Sequence, residues 1–334
     1  MSQAGAPTLS VVIPMYNEEA VLPLLAERLR PVLDGIGEPY EVIAVDDGSR
    51  DATPQLLIGM RRVWPELRVL RLRRNSGHQA ALTAGLHRAA GAYVVSIDAD
   101  LQDPPETITE MLELARRDGL DIVYGTRVDR STDTVFKRWT AGLYYRLMRR
   151  LVGNHLPAHA GDFRLLSRAT VEALRELPET QPVYRLLVPW IGFPSGEVHY
   201  VREERAAGTT KYSLAKMVRL AFDSVANFSA APLRIATILG AVGFVACAIL
   251  LVSAFVSYLL GHTVSGWASL FVVTLFIGAV QLVCLGLLGE YLGRIYAAVQ
   301  RRPSFYVGHD SAVDPIDSDP IAVVNNVEDE PVSH

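Results

Sequence analysis

Short apolar runs alternate with segments of helical periodicity between Leu9 and Tyr124. The apolar runs predict five β-strands, at 9–13, 41–45, 68–72, 93–97 and 121–124. The intervening segments repeat apolar residues every three or four positions, which predicts four helices, at 18–33, 51–63, 78–89 and 105–117. This alternation predicts an α/β domain with a mostly parallel, doubly wound sheet, whose ligands bind beyond the carboxyl ends of the strands.

Carboxylates cluster at two of these predicted strand ends. Asp98 and Asp100 alternate, so in an extended segment both would project to one side and could share Mg²⁺ or Mn²⁺ with a diphosphate. An Asp-rich turn before two prolines is the alternative interpretation. Asp46 and Asp47 follow another strand, where they could accept hydrogen bonds from ribose hydroxyls or base N–H groups. His78 begins a helix at the same edge and would contact a ligand phosphate or only cap the helix.

Two glycine-rich phosphate motifs are missing from the sequence. No G-x-G-x-x-G opens the first helix and no G-x-x-x-x-G-K-[ST] occurs, which excludes a nicotinamide dehydrogenase and a P-loop NTPase. Recognition by carboxylates and a metal instead favours a nucleotide-sugar ligand.

Two long apolar stretches, 233–260 and 267–289, lie near the C-terminus. Each is long enough to cross about 30 Å of hydrocarbon, and the short separation predicts a two-helix transmembrane hairpin. Basic residues flank the outer ends and none lies in the short loop, so the N-terminal domain and the tail are expected in the cytoplasm. No signal peptide is apparent. The prediction is a multi-pass protein of the cell (inner or plasma) membrane; the alternative is two buried helices of a large soluble core.

The remaining segments complete the predicted organisation. We expect a flexible N-terminus at 1–7, the α/β domain at 8–212, a juxtamembrane amphipathic helix at 213–232 and a disordered acidic tail at 303–334. The basic stretch 137–151 is typical of an interfacial helix, although packing against the sheet would give the same pattern. Glycines in the second span favour either a homo-oligomer formed through the membrane hairpin or close packing within one chain.

Four motifs resemble those of family 2 glycosyltransferases of the GT-A fold: VVIPMYNEE (11–19), VDDGSRDAT (45–53), SIDADLQDPPE (96–106) and GTTKY (208–212). They look like the polyprenyl-phosphate subgroup, which includes dolichyl-phosphate mannose synthase and the bacterial bactoprenol glucosyltransferases. The resemblance covers about residues 8 to 302 and includes the two apolar stretches.

The resemblance implies a donor site. Its donor-binding residues would be Pro14, Tyr16, Glu18, Val45, Asp47, Asp98, Ala99, Asp100, Arg205 and Lys211. The metal, Mg²⁺ or Mn²⁺, would be held by Asp98, Asp100 and Gln102. Arg205 and Lys211 keep the six-residue spacing of a pair that closes over the donor in the family.

The resemblance also implies an acceptor site and a catalytic set. Arg127 and Arg138 would bind the acceptor phosphate, although Arg138 is followed by Gly142 where mannose synthases have a serine. Asp98, Asp100, Arg127 and Asp162 would form the catalytic set. Related transferases place a candidate base at Asp162, but a phosphate acceptor with a second pKa near 6 is already a nucleophile. A ligand for a sugar hydroxyl is therefore the favoured role of Asp162.

These features predict an inverting glycosyltransferase that moves a sugar from a nucleotide-diphosphate sugar, UDP-glucose-like by analogy, to a polyprenyl (undecaprenyl or decaprenyl) phosphate. The product would be a polyprenyl-phosphate-linked monosaccharide on the cytosolic face, used in cell-envelope glycosylation. The alternatives are a GDP-mannose-dependent mannose synthase, a processive polysaccharide synthase or an inactive membrane scaffold. The expected partners are the donor, the lipid acceptor and the membrane, and not nucleic acid.

Overall fold

The computed structural model describes residues 7–128, 160–179, 182–201, 231–260 and 267–314. The chain divides into two compact units, one formed by residues 1–211 with 303–334 and the other by residues 212–302.

The first unit follows the predicted alternation up to its fifth strand. Its strands are β1 (Leu9–Met15), β2 (Tyr40–Asp46), β3 (Leu67–Leu72), β4 (Tyr93–Ser96), β5 (Ile122–Arg127), β6 (Ala160–Ser167), β7 (Ser195–Tyr200) and β8 (Val307–Asp310). Its helices are α1 (Leu22–Ile36), α2 (Thr53–Val63), α3 (His78–Arg88), α4 (Thr107–Asp118), α5 (Arg168–Glu176) and α6 (Tyr184–Trp190). The α/β class is therefore confirmed.

The described strands form one eight-stranded sheet in the order β7-β5-β6-β4-β1-β2-β3-β8. Six strands run in the same direction, and only β6 and β8 are antiparallel to their neighbours, so the mostly parallel sheet is also confirmed. The sequence did not predict β6, which lies between β4 and β5. Its insertion brings Asp162 to the end of β4, where the Ser96 hydroxyl donates to the Asp162 carbonyl at 2.5 Å.

Helix α3 packs closely against the centre of the sheet. Residues 80–86 of this helix are all buried. A Cβ on Gly85 would lie 2.2 Å from Cγ1 of Val12 and 3.1 Å from Cγ2 of Val45, so only glycine allows the helix to approach β1 and β2 this closely. This contact fixes the start of α3, and with it His78, relative to the strand ends.

The acidic tail is partly ordered, so the prediction of disorder from residue 303 onwards is wrong for residues 303–314. Strand β8 pairs with the edge of β3, and the Arg68 guanidinium donates to both carboxylate oxygens of Asp310, at 2.8 and 2.6 Å. The Ser311 hydroxyl accepts from the Val69 N–H at 2.8 Å. The negative charge of Asp310 is compensated by Arg68, which lies 242 residues earlier in the chain. Amino-acid composition alone does not reveal such a distant partner.

The second unit contains α7 (Ala231–Leu259) and α8 (Trp267–Gln300), which contact each other at Cys284 and Ala236. Within the described ranges, one segment, Val273–Gln300, is long and apolar enough to cross a bilayer, and a shorter apolar stretch runs from Ala236 to Leu250. The predicted spans thus coincide with helices, while the two-span hairpin itself stays a prediction. The stretch at 137–151 and nearly all of 213–232 lie outside the described residues.

Candidate active site

A cleft of about 450 Å³ opens where β1, β2, β3 and β4 end and α3 begins. This is the edge of the sheet at which the sequence predicted a ligand. The cleft is lined by Pro14, Met15, Tyr16, Asn17, Glu18, Asp47, Asn75, Gly77, His78, Ala81, Asp98, Ala99 and Asp100. Seven of the predicted donor-binding residues are therefore brought together, namely Pro14, Tyr16, Glu18, Asp47, Asp98, Ala99 and Asp100.

The loop after β1 is held open toward the cleft by the loop after β2. Asn17 adopts a left-handed conformation with φ 55°, and its N–H donates to the Ser49 hydroxyl at 2.9 Å. The Glu18 N–H donates to the Thr53 hydroxyl at 2.9 Å, and the first helix begins at Leu22 instead of Glu18 as predicted. These contacts leave the Tyr16 side chain 41% exposed at the cleft, where an aromatic face could stack on a planar ligand.

The two aspartates after β2 have different roles. Asp46 is fully buried and pairs with Arg71, whose Nε lies 3.2 Å from Oδ2, so the hydrogen bonds that Asp46 was expected to accept from a ligand are not supported. Asp47 lines the cleft, and its two oxygens accept from the N–H groups of Ser76 and Gly77 at 2.7 and 2.8 Å. Burial raises the pKa of Asp47, and these two hydrogen bonds oppose the rise. Asp47 therefore holds the loop before α3 against the cleft.

Val45 and Gln102 do not line the cleft. Val45 is fully buried in β2, facing the approach of Gly85. Gln102 is half-buried, and its N–H donates to Oδ1 of Asp100 at 3.1 Å.

The Asp98–Asp100 segment is a turn, so the expected extended geometry is wrong. Strand β4 ends at Ser96, Leu101 has a left-handed φ of 57°, and the Asp100 carboxylate accepts from the backbone two residues later. Asp readily makes such local turns because its short side chain reaches the following N–H groups. The turn nevertheless presents both Asp98 and Asp100 to the cleft.

Negative charge is concentrated at Asp98. The exposed 42% of its side chain faces the cleft, and burial raises the pKa of Asp98 to about 6. His78, with Nε2 at 3.7 Å from Oδ1, opposes this rise, whereas the charges of Asp162, Asp103 and Asp100 add to it. A divalent cation would relieve this repulsion, and carboxylate oxygens are the ligands that Mg²⁺ and Mn²⁺ favour.

The protein ligands alone do not complete a metal site. Among the residues that the structure describes, no group of three or more His, Cys, Asp or Glu side chains is arranged to hold a metal ion. Two carboxylates suit a cation that takes its other oxygens from a diphosphate and water, as Mg²⁺ usually does.

Asp162 is surrounded by basic side chains. Its Oδ1 accepts from Nη2 of Arg164 at 2.6 Å, and its Oδ2 lies 3.6 Å from Nε2 of His78 and 3.9 Å from Nη2 of Arg185. Burial raises the pKa of Asp162. The contact with His78 and the charges of Arg164 and Arg185 lower this pKa more strongly, so that it lies well below its usual range. A carboxylate held ionised in this way is a weak proton acceptor near neutral pH.

Arg127 lies at the end of β5 beside two buried groups rather than among the cleft-lining residues. Its Nη2 is 3.7 Å from Oδ1 of Asp103, and its Nε donates to the Tyr200 hydroxyl at 3.4 Å. The guanidinium side chain remains 32% exposed. The other predicted cations, Arg138, Arg205 and Lys211, lie outside the described residues.

Sequence reasoning assigned no role to several residues that line the cleft. Met15, Asn17, Asn75, Gly77 and Ala81 line the cleft. Their position at strand ends was a usable signal for Asn75 and Gly77, because polar and glycine residues there mark ligand loops. No signal in the sequence indicated Asp103 with Tyr200, which is 97 residues further along the chain.

Comparison with known proteins gives the family. The model of glycosyl transferase family 2 matches residues 10–175, which include every residue that lines the cleft. An uncharacterized glycosyltransferase of Bacillus subtilis (strain 168), YkcC, is 41% identical over 302 residues, covering 89% of this chain and 92% of the relative. The bactoprenol glucosyl transferase of Shigella phage SfV is 38% identical over 302 residues, covering 90% and 97%.

The chain belongs to glycosyltransferase family 2. The resemblance noted from its motifs is thereby confirmed. Among solved structures, this family 2 glycosyltransferase is similar to glucosyl-3-phosphoglycerate synthase from Mycobacterium tuberculosis in complex with Mn²⁺, uridine diphosphate and glucosyl-3-phosphoglycerate. That likeness has 22% identity and a TM-score of 0.43, and covers 66% of this chain and 78% of the other.

Proposed function

We propose that this family 2 glycosyltransferase, with a GT-A catalytic domain, moves a sugar from a nucleotide-diphosphate sugar, UDP-glucose-like, to a polyprenyl phosphate with inversion at the anomeric carbon. The observation that supports it most is the meeting of Asp98 and Asp100 with the exposed Tyr16 in one cleft. The names of relatives that match nearly the whole chain, such as the SfV bactoprenol glucosyl transferase, favour a polyprenyl phosphate as the acceptor.

The cleft suits the donor in two ways. The exposed ring of Tyr16 offers a face on which a nucleobase can stack. Asp98 and Asp100 would hold Mg²⁺ or Mn²⁺ together with the donor diphosphate. When bound, such a cation would offset the charge that develops on the departing nucleoside diphosphate.

The acceptor chemistry needs no general base. A phosphate monoester has a second pKa near 6, so at neutral pH its oxygen is already a nucleophile. That oxygen forms a bond to the anomeric carbon while the bond from this carbon to the donor phosphate oxygen breaks, and the nucleoside diphosphate leaves with the electron pair. Asp162 would position His78, Arg185 and a sugar hydroxyl rather than accept a proton, because its carboxylate is already paired with Arg164.

Cations must offset the repulsion between two anionic substrates. About two charges on each would cost several kcal/mol at close range with an effective dielectric constant near 20. The Arg127 side chain, which is 32% exposed, would supply one positive charge. Arg138, Arg205 and Lys211 would supply further positive charge.

A lipid acceptor requires the enzyme to work at a membrane. The apolar segment Val273–Gln300 has the length to span a bilayer. Most of the described side chains of α7 are also apolar and exposed. We propose that α7 and α8 form the hairpin and that the catalytic domain and tail lie in the cytoplasm of a bacterial-type inner or plasma membrane. Association of copies through the hairpin is part of this proposal.

The deciding experiment supplies membranes containing the full chain with polyprenyl phosphate, Mg²⁺ or Mn²⁺ and a panel of nucleotide-sugars, and identifies the glycolipid by mass. One sugar per lipid is expected, with nucleoside diphosphate released only when lipid and metal are both present. Asp100→Ala should abolish release, whereas Asp118→Ala, at the exposed end of α4, should not. Polymer formation would support a processive synthase, a GDP-mannose donor would support a mannose synthase, and no turnover with any donor would contradict the proposal.

A further inference from the structure

Three polar side chains meet where β5 and β7 end. Arg127 and Tyr200 are the last residues of these parallel strands and are register partners. The Tyr200 hydroxyl donates to Oδ1 of Asp103 and accepts from Nε of Arg127 at 3.4 Å. Nη2 of Arg127 lies 3.7 Å from the same Asp103 oxygen. The hydroxyl therefore stands between a carboxylate and a guanidinium.

The same three residues connect the carboxylate turn to the sheet. Asp103 ends the turn that contains Asp98 and Asp100, and it is only 3% exposed. The Tyr200 ring is fixed by an edge contact with Phe163, with centroids 5.5 Å apart and planes at 78°. Because the ring is held by packing, its hydroxyl gives Asp103, and with it the end of the turn, a fixed anchor on β7.

The Arg127–Asp103 contact is longer than such a pair normally makes. A guanidinium and a carboxylate usually close to about 2.7–2.9 Å and often pair through two hydrogen bonds. Here Nη2 of Arg127 lies 3.7 Å from Oδ1 of Asp103. The Tyr200 hydroxyl instead forms hydrogen bonds with both Nε of Arg127 and Oδ1 of Asp103. A closed pair would direct the charge of Arg127 into a buried carboxylate and away from an incoming anion.

We propose that Tyr200 is a positioning residue that prevents Arg127 from closing on Asp103 and keeps the guanidinium directed at a substrate phosphate. This inference rests on the proposed function, which assigns phosphate binding to Arg127. The phosphate belongs to either the donor diphosphate or the lipid acceptor, and separate measurements distinguish the two.

The first test is Tyr200→Phe, which keeps the ring and its contact with Phe163 and removes only the hydroxyl. We expect the KM for one phosphate substrate to rise about five- to tenfold, with a smaller change in kcat, as for loss of about one ordinary hydrogen bond. Binding of the nucleoside diphosphate without lipid reports the donor, and the KM for polyprenyl phosphate at saturating donor reports the acceptor.

A matched control is Tyr40→Phe. Tyr40 begins β2, at the opposite end of the strands from the cleft, and its hydroxyl donates to Asp34 at 2.5 Å. This variant also removes a tyrosine–aspartate hydrogen bond, but away from Arg127. It should change thermal stability without changing either KM.

A double-mutant cycle separates positioning from packing. In an Arg127→Gln background, Tyr200→Phe should cause no further rise in KM, because the charge it positions is gone. An equal fold-change in both backgrounds, or a KM of Tyr200→Phe within twofold of wild type for both substrates, would overturn the inference.

Asp103→Asn keeps the inference testable even if Tyr200→Phe does not fold. Its amide oxygen can still accept from Tyr200, while the charge that competes for Arg127 is removed. We expect the affinity for phosphate substrates to stay equal or increase, and a fivefold loss would contradict the mechanism. If the wild-type chain binds no nucleoside diphosphate and makes no glycolipid, the proposed function fails, which is a different outcome.

Discussion

Neutralising Asp162 should destabilise the catalytic domain more than it impairs chemistry. Arg164 is 1% exposed and donates to Asp162, to the Gly161 carbonyl and to the Tyr184 carbonyl. Its Nε is buried and has no hydrogen-bond partner within the described part of the chain. Asp162→Asn would remove the carboxylate that balances this buried charge.

The magnitude follows from that burial. Removing one partner of a buried ion pair costs about 3–5 kcal/mol, and the two remaining carbonyl contacts place Arg164 near the lower end. For a domain of about 150–250 residues, each kcal/mol lowers Tm by about 2–4 °C. We therefore expect Asp162→Asn to lower Tm by about 6–12 °C.

The assay is thermal unfolding of the full chain in detergent, with turnover measured well below each Tm. Asp162→Asn combined with Arg164→Gln removes both charges and should recover at least half of the lost Tm. Turnover of Asp162→Asn should stay within about tenfold of wild type near neutral pH, because the carboxylate is not the base. Two results together would refute this reasoning. Asp162→Asn would leave Tm unchanged while lowering kcat a thousandfold, and the kcat of the wild type would rise tenfold per pH unit up to pH 6.

Three further predictions concern the tail, the core and the metal. Asp310→Asn should cost about 1–3 kcal/mol by unpairing Arg68 and should speed proteolysis of the tail. Burial raises the pKa of Asp310, but the hydrogen bonds from Arg68 and the Ala312 N–H and the charges of Arg68 and Arg88 together lower it below its usual value. This stability is therefore present above about pH 4 and lost below it, and the Tm difference between wild type and variant should shrink from pH 5 to pH 3. Gly85→Ala should destabilise the domain by about 1–3 kcal/mol, because the new Cβ would clash with Val12. Gly59→Ala in α2 should stabilise it by about 0.5–1 kcal/mol, because its Cβ would meet nothing within 4 Å. Urea unfolding measures both changes. Chelation of divalent cations should stop nucleotide release by wild type, and Asp98→Asn should raise the metal concentration for half-maximal release at least tenfold.

The sequence predicted the five strands that alternate with helices and missed β6, β7 and β8. Residues 11–15 of β1, 42–45 of β2 and 93–95 of β4 are continuous apolar runs because both faces of the sheet are covered. Strand β6 contains Asp162 and Arg164, which in a sequence are typical of an exposed segment. Asp162 and Arg164 can be buried because they pair with each other and because Arg164 also donates to the Tyr184 carbonyl in α6. The contact with α6 does not follow from the local sequence pattern.

The site was predictable as an edge of the sheet but not atom by atom. The rule that ligands bind at strand ends correctly grouped Asp47, Asp98 and Asp100. It could not distinguish Asp47 from Asp46, because the partner that buries Asp46 is Arg71 on the neighbouring strand. Nor could it foresee the turn geometry, which depends on a left-handed Leu101 that few sequences would suggest.

The pairing of β8 with β3 has a consequence for the order of events during synthesis. Arg68 and Asp310 are 242 residues apart, which corresponds to roughly 12–50 s of translation at about 5–20 residues per second. Throughout that interval the N–H and C=O groups at the edge of β3 face no strand, and such an edge invites pairing with other chains. The last strand of the catalytic sheet becomes available only after both apolar helices have been synthesised, so the domain cannot close its own edge until translation of these helices is complete.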